Sequence, residues 1–224
     1  MKTCVFDIDD TLYSQMENAA KAASAVAAFA SDRYGISEEE FRRQYKAAFA
    51  RQRDRFPTLV NFHSRAVRFQ FMSEMFGTIP LSDVLLLHDL YWEAHLRDME
   101  PFPGLVDFLA SLRARGIRIG ACTDMTADWQ YKKLERLGLT PFFDFMVSSE
   151  EVGLEKPSPA MFEEVLAKAD CPAADCVMFG DNYAKDIVGA RAVGMDAVWV
   201  CQDPAQRPLH PDVRAIDTYV GLDL

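Results

Sequence analysis

From residue 105 to residue 200 the sequence alternates between helix-like and strand-like segments, and this alternation constrains the fold more than any other feature. The predicted helices are 105–115, 127–137, 159–169 and 184–193, and the predicted strands are 117–122, 145–148, 176–179 and 197–200. Strands and helices in alternation form parallel sheets with right-handed crossovers. The pattern therefore predicts an α/β fold built on a doubly wound parallel sheet.

Another strand is predicted at the start of the chain, before a segment of different character. Residues 3–8 are apolar and rich in β-branched and aromatic side chains, which is typical of a strand buried on both faces. No strand pattern occurs in residues 15–98. That segment fits four helices, 16–34, 37–53, 58–76 and 81–97. We expect an α/β core of residues 1–14 and 99–224, interrupted by an all-helical insert of residues 15–98.

Composition and charge narrow the class of protein. The formal net charge of −10 disfavours nonspecific binding to nucleic acid. No apolar run approaches the roughly 20 residues that a membrane span requires, and an acid at position 7 precedes any signal-like segment. The five cysteines are odd in number and widely spaced, which favours free thiols in a reducing compartment. We expect a cytoplasmic protein that binds neither membranes nor nucleic acid, and the oligomeric state stays open.

Polar residues cluster where the predicted strands end. In open parallel sheets, ligands bind outside the carboxyl ends of the strands. The residues delivered to that edge are Asp7, Asp9, Thr123, Asp124, Lys156, Asp181 and Asp186. Four separate segments contribute them, so their convergence indicates a functional site rich in carboxylates.

Four short motifs carry a resemblance to a known superfamily. They are residues 6–12 (FDIDDTL), residues 121–124 (ACTD), residues 155–157 (EKP), and residues 180–182 (GDN) followed by Asp186. In order and spacing the chain resembles the haloacid dehalogenase-like hydrolases, specifically members with a helical cap inserted after the first strand. The resemblance implies a Mg²⁺-dependent phosphatase that hydrolyses a small phosphate monoester, such as a sugar phosphate or a nucleotide, through an aspartyl-phosphate intermediate.

The resemblance also implies the ligands of the metal and the catalytic pair. Asp7 is the expected nucleophile, and one of its oxygens is expected to bind Mg²⁺. Asp9 is expected to act as general acid and then general base, while its backbone carbonyl binds the metal. Asp181 is the expected carboxylate ligand. Asp186 is expected to act on a metal-bound water or to orient Lys156.

Two further positions are expected to bind the phosphate. Thr123 would donate its hydroxyl to a phosphate oxygen, and Lys156 would supply a positive charge to the phosphate and to Asp7. Asp124 stands where many relatives carry asparagine. Its backbone N–H is expected to contact phosphate, but its carboxylate adds a negative charge nearby.

Several other functions stay open on the same residues. A sugar-phosphate mutase shares the catalytic set and returns the phosphoryl group to a bound sugar. Haloacid dehalogenases lack the second aspartate, so Asp9 argues against that activity. A phosphonate-cleaving enzyme needs a small residue at position 9. A non-catalytic binding protein on this fold is disfavoured by the intact set of Asp7, Asp9, Lys156 and Asp181.

Overall fold

The computed structural model describes residues 1–56, 60–203 and 205–223. The chain divides into two compact units. One comprises Met1–Ser14 and Glu100–Leu224, and the other comprises Gln15–Met99. None of the described helices is both long and apolar enough to cross a membrane.

The unit Gln15–Met99 is helical. Its α-helices are α1 (Gln15–Tyr34), α2 (Glu38–Arg55), α3 (Arg65–Phe76) and α4 (Val84–Arg97). Helix α1 packs against α4, and α2 packs against α3. Ser37 caps α2 by accepting a hydrogen bond from the Glu40 N–H at 3.2 Å. Gly77 ends α3 in the left-handed conformation, with φ of 64°, which glycine adopts without steric cost.

Two predicted helices of this unit begin later than expected. The helix predicted from residue 58 starts at Arg65, because Ser64 caps it by accepting from the Val67 N–H at 3.3 Å. A separate 3₁₀ turn, Val60–His63, precedes it, and residues 58 and 59 lie outside the described residues. The helix predicted from residue 81 opens with a 3₁₀ turn, Leu81–Asp83, before α4.

The other unit is built on a parallel sheet. Its strands are β1 (Thr3–Phe6), β2 (Arg118–Thr123), β3 (Phe145–Ser148), β4 (Cys176–Gly180), β5 (Asp196–Val200) and β6 (Arg214–Ile216). They lie in the order β3-β2-β1-β4-β5-β6, and every neighbouring pair is parallel. The prediction of an α/β fold with a doubly wound parallel sheet is confirmed.

The helices of this unit connect the strands. They are α5 (Leu105–Ala114), α6 (Ala127–Arg136), α7 (Ser149–Val152), α8 (Pro159–Ala169) and α9 (Val188–Ala192). Strand β1 lies between β2 and β4, and Phe6 pairs in register with Ala121 and Phe179. All four residues of β1 are buried, and the Phe6 and Phe179 rings stack 4.7 Å apart. The central strand is therefore fixed on both faces just before the chain reaches Asp7.

Several elements of the α/β unit differ from the predictions, and the short helix α7 was not predicted. The strand predicted at 3–8 ends at Phe6, and the loop after it turns at Asp10, which has φ of 56°. The helix predicted at 184–193 begins with a π-helical turn, Tyr183–Ile187, and α9 follows. Strand β6 was not predicted, because three residues at a sheet edge give no alternating pattern. A π-turn such as Tyr183–Ile187 places its side chains differently from an α-helix, and such turns are frequent at functional sites.

Candidate active site

The carboxyl ends of three adjacent strands bring the predicted residues into one unit of the protein. Asp7 follows β1, Thr123 ends β2, and Asp181 follows β4. Lys156 comes from the loop before α8, and Asp186 comes from the π-turn. Gly180 must be a glycine for this arrangement, since an added Cβ would overlap the Asp186 carboxylate.

Lys156 lies at the centre of the site and is almost wholly buried. Its ammonium donates to Asp7 Oδ1 at 2.8 Å, to Asp186 Oδ1 at 2.7 Å and to the Cys122 carbonyl at 3.0 Å. Burial acts to lower the pKa of Lys156, but the Asp186 and Asp7 carboxylates raise that pKa well above its usual value. Lys156 is therefore a fixed positive charge.

Three carboxylates crowd around this single ammonium. Oxygen atoms of Asp7, Asp181 and Asp186 lie within 4.8 Å of one another. Burial raises the pKa of Asp7 well above its usual value, and the neighbouring carboxylates add to this against the opposing Lys156. Burial, and then Asp186, raise the pKa of Asp181 to about 7. The cluster holds more negative charge than Lys156 neutralises, which suits a divalent cation with oxygen ligands.

Asp186 already has partners for both oxygens. Besides the bond to Lys156, its Oδ2 accepts from the Asn182 N–H at 2.9 Å, and the side chain has no exposure. Of its two predicted roles, the contacts support orienting Lys156. The side chain of Asp9 does not join the carboxylate cluster. A metal contact by Asp9 therefore rests on its backbone carbonyl and stays a prediction.

Asp9 has a surrounding of its own. The Lys133 ammonium donates to both Asp9 oxygens, at 2.7 and 2.8 Å, and the Tyr13 hydroxyl donates to Oδ1 at 2.6 Å. Gln130 Nε2 lies 3.1 Å from Asp9 Oδ2 and 2.8 Å from Thr123 Oγ1, so it links the two side chains. Burial acts to raise the pKa of Asp9, but Lys133 and the other donors lower that pKa to about 2.

Sequence reasoning missed Gln130 and Lys133. They lie three residues apart on α6, so they share one face of that helix, and both are buried. A glutamine and a lysine three residues apart on the helix predicted after Thr123 are the sequence signal that could have found them. The signal alone does not tell which strand-end residue they contact.

The side chain of Asp124 is turned away from a phosphate-binding role. Its Oδ1 accepts from the Lys156 backbone N–H at 2.9 Å, and its Oδ2 accepts from the Lys185 ammonium at 2.8 Å. Lys185 also donates to Glu155 Oε2 at 3.0 Å. The carboxylate that departs from the family pattern is therefore hydrogen-bonded to protein groups on both oxygens.

Comparison with known proteins identifies the family. A family model of haloacid dehalogenase-like hydrolases matches residues 1–194. The chain belongs to the haloacid dehalogenase-like hydrolase family. The predicted family membership is confirmed, and the site just described lies wholly within the matched residues.

Two curated relatives of this haloacid dehalogenase-like hydrolase are phosphatases by name. The chain is 38% identical over 202 residues to a ribulose-1,5-bisphosphate 5-phosphatase of Halopiger xanaduensis, covering 88% of this chain and 84% of the relative. It is 31% identical over 201 residues to a glyceraldehyde 3-phosphate phosphatase of Methanothermobacter thermautotrophicus, covering 89% and 85%. The predicted class, a phosphoric monoester hydrolase, agrees with both names.

Solved structures of the family share the fold. A phosphatase of Thermococcus onnurineus matches with a TM-score of 0.69 and 26% identity, over 91% of this chain and 88% of that chain. A 2-haloacid dehalogenase of Pseudomonas syringae matches with a TM-score of 0.70 and 27% identity, over 97% and 90%. Because both chemistries occur on this fold, the site residues must decide between them.

Proposed function

We propose that this protein is a magnesium-dependent phosphatase that hydrolyses a small phosphorylated metabolite with Asp7 as nucleophile. One observation carries the proposal. The Asp7 carboxylate lies beside two other carboxylates and the buried Lys156 ammonium, at the carboxyl edge of the sheet. Oxygen ligands for a divalent ion and a fixed cation for a phosphate thus meet at one nucleophile.

The residues present fit a magnesium ion. Asp7, Asp181 and Asp186 form an all-oxygen donor set in which burial and mutual repulsion raise the pKa of Asp7 and of Asp181. Asp7 and Asp181 would hold the ion, with the Asp9 carbonyl as a third donor. When bound, Mg²⁺ neutralises charge on the phosphate and on the nucleophile.

In the first step an Asp7 oxygen attacks phosphorus, and the bond from phosphorus to the leaving alcohol breaks. Lys156 holds the Asp7 carboxylate in place by its 2.8 Å hydrogen bond. The Thr123 hydroxyl, which ends β2, would bind a phosphate oxygen. The product of this step is an aspartyl-phosphate on Asp7.

In the second step a water oxygen attacks phosphorus while Asp9 takes a proton of that water. The bond from phosphorus to the Asp7 oxygen breaks, which releases inorganic phosphate and restores the Asp7 carboxylate. This role requires an ionised Asp9 carboxylate, and the hydrogen-bonded Lys133 ammonium keeps that carboxylate ionised. For the first step Asp9 would have to gain a proton to give to the leaving alcohol. That acid role requires the Asp9–Lys133 contact to loosen.

The presence of Asp9 also separates this proposal from a haloacid dehalogenase. That activity has no leaving alcohol to protonate, whereas here four hydrogen bonds from Tyr13, Gln130 and Lys133 fix a carboxylate at position 9. Two of these hydrogen bonds come from Lys133, a buried lysine. A second ionised carboxylate beside the nucleophile suits phosphoryl transfer to water.

The names of the relatives support a proposal for the substrate class. We propose a phosphorylated sugar or a comparable small metabolite, and the helical unit of residues 15–99 as the cap that recognises its non-phosphate part. Ribulose 1,5-bisphosphate and glyceraldehyde 3-phosphate are the first compounds to test, with phosphoserine and a pyrimidine nucleotide beside them. The cytoplasmic location and the lack of nucleic-acid and membrane binding stay predictions.

The test is phosphate release from this panel with Mg²⁺, comparing Asp7→Asn with Asp10→Asn. Both variants remove one carboxylate from the same loop, and asparagine tolerates the left-handed φ of 56° at position 10. We expect Asp7→Asn to abolish release and Asp10→Asn to keep most of it. Full activity in Asp7→Asn would refute the proposal, and isomerised sugar phosphate without free phosphate would indicate a mutase.

A further inference from the structure

Lys185 joins three loops that lead out of the sheet. It belongs to the π-turn after β4, and its ammonium donates to Asp124 in the loop after β2 and to Glu155 in the loop between α7 and α8. Its own backbone N–H is held by Asn182 Oδ1 at 3.1 Å. One side chain therefore ties together the three segments that also deliver Thr123, Lys156 and Asp186.

The negative charge of Asp124 is not explained by the hydrogen bond that Asp124 makes to Lys156. Its Oδ1 accepts the Lys156 N–H, a bond that a neutral asparagine could equally accept. The negative charge is therefore not required for positioning Lys156. It is a charge placed directly after Thr123, beside the site where the phosphoryl group is proposed to bind, and it would repel that group.

The surroundings make this charge consequential. The side chains of Asp124 and Glu155 are only 10% and 12% exposed, so water screens them weakly. Lys185 lies 2.8 Å from the one and 3.0 Å from the other. Among the described residues, Lys185 is the cationic side chain that pairs with Asp124.

We propose that Lys185 is a positioning residue that neutralises Asp124, so that an anionic phosphoryl group can bind beside Thr123 and Lys156. This inference rests on the proposed phosphatase function. Lys185 acts through Asp124 and does not itself contact the reacting atoms. The negative charge of Asp124 and the positive charge of Lys185 thus form one unit beside Thr123.

The first test is Lys185→Met, assayed with 4-nitrophenyl phosphate and Mg²⁺. The bound substrate and the transition state are both anionic. An Asp124 charge without its Lys185 partner should therefore weaken the binding of both by a similar factor. We expect KM, and the inhibition constant of inorganic phosphate, to rise about tenfold, with kcat changing less than about threefold. Lys185→Arg keeps the charge and should stay within about threefold of the parent KM.

The decisive variant is the double change Asp124→Asn with Lys185→Met. If the role of Lys185 is to neutralise Asp124, removing that charge should bring KM back to within about threefold of the parent. If Lys185 were only a brace between loops, the double variant would be as impaired as Lys185→Met alone. That result would overturn the inference.

A further variant keeps the inference testable if Lys185→Met does not fold. Asp124→Asn alone keeps the acceptor for Lys156 and leaves Lys185 paired with Glu155. The negative charge beside Thr123 is then reduced by one, so KM should fall about threefold. A rise in KM would overturn the inference. Far-ultraviolet circular dichroism of each variant reports whether it is folded.

The two proposals fail in different ways. A parent protein that releases no phosphate from any tested compound refutes the phosphatase function. In that case, calorimetric titration with inorganic phosphate in the presence of Mg²⁺ still tests the role of Lys185. Equal phosphate affinity of the parent and of Lys185→Met overturns the inference. A parent that releases phosphate, with an unchanged KM in Lys185→Met, refutes the inference alone.

Discussion

Asp7 and Asp9 lie two residues apart after β1, and each binds a lysine, but only Asp7 also faces two other carboxylates. Asp7 faces Asp181 and Asp186 and shares Lys156 with Asp186, so its pKa is raised mainly by burial and further by the neighbouring carboxylates. Both Asp9 oxygens bind Lys133, which lowers its pKa to about 2 against the effect of burial. The same residue type thus has two electrostatic states on one loop.

The different surroundings of Asp7 and Asp9 allow the two carboxylates to have distinct roles. Asp9 is held ionised by protein groups alone, which suits a base. Asp7 is short of positive charge, so its ionised, nucleophilic form depends on a further cation. We therefore expect the effects of substitutions around the Asp7 carboxylate to depend on Mg²⁺, and the effects of substitutions around the Asp9 carboxylate to be independent of it.

The largest expected effect comes from removing the lysine on the Asp7 side. Lys156→Met leaves Asp7 and Asp186 buried without their ammonium, which should cost about 3 kcal/mol in the free energy of unfolding. Phosphate release should fall by about 10³-fold or more, because the fixed cation at the phosphate is lost. Urea unfolding and a steady-state assay measure both.

Lys2→Met is the matched control for this change, since its ion pair with Asp175 is exposed. It should alter the free energy of unfolding by less than about 1 kcal/mol. If Lys156→Met were as stable and active as the control, the central position of Lys156 would be wrong.

The next effect is the pH dependence of Mg²⁺ binding. Because the pKa of Asp181 is about 7 without a cation, a proton competes with the metal below that pH. Because the pKa of Asp7, the other proposed ligand, is raised as well, Mg²⁺ affinity should fall by about tenfold or more per pH unit from pH 7 to pH 5. Calorimetric titration at several pH values measures this, and a flat affinity from pH 5 to pH 8 would contradict the raised pKa.

The Asp9 side predicts a different signature. Lys133→Met removes the main cause of the low pKa, so burial should raise the pKa of Asp9 above its usual value. The acid limb of the kcat profile should then move to higher pH. Lys132→Met is the control, because Lys132 pairs with Asp128 on the exposed face of the same helix. If the acid limb of Lys133→Met stayed at the pH of the parent, Lys133 would not be the group that keeps Asp9 ionised.

The same variant has a stability consequence whose sign follows from linkage. The pKa of Asp9 is lower in the folded than in the unfolded chain, so the pair stabilises the fold above about pH 4, and this stabilisation is lost as the pH falls toward 2. At pH 7, Lys133→Met should be less stable by about 2 kcal/mol. The difference from the parent should shrink below pH 3, which acid unfolding measures.

Much of the fold was predictable from sequence because strand and helix periods are local. The alternation after residue 105 predicted the sheet, and each strand end predicted where Asp7, Thr123 and Asp181 would lie. Strand β6 was not predictable, since Arg214–Ile216 becomes a strand only by pairing with β5. The π-turn at Tyr183–Ile187 likewise depends on the Asn182 cap and on tertiary packing.

The candidate site divides in the same way. Asp7, Lys156 and Asp181 stand in motifs, so their residue types and spacing identify them. Lys133 and Lys185 stand in no motif, and their roles depend on the rotation of α6 and of the π-turn relative to the sheet. A shift of one residue in either element would turn the ammonium away from its carboxylate, which no local pattern specifies.

The most direct test of the account is to trap the phosphoryl group on Asp7. An aryl phosphate needs no acid for the first step, so Asp9→Asn should form the aspartyl-phosphate but hydrolyse it slowly. Acid quenching, borohydride reduction and peptide mass spectrometry then locate the phosphorylated residue. We expect close to one modified Asp7 per chain with Mg²⁺ and none with EDTA. Modification at another residue, or fast turnover by Asp9→Asn without any trapped intermediate, would contradict it.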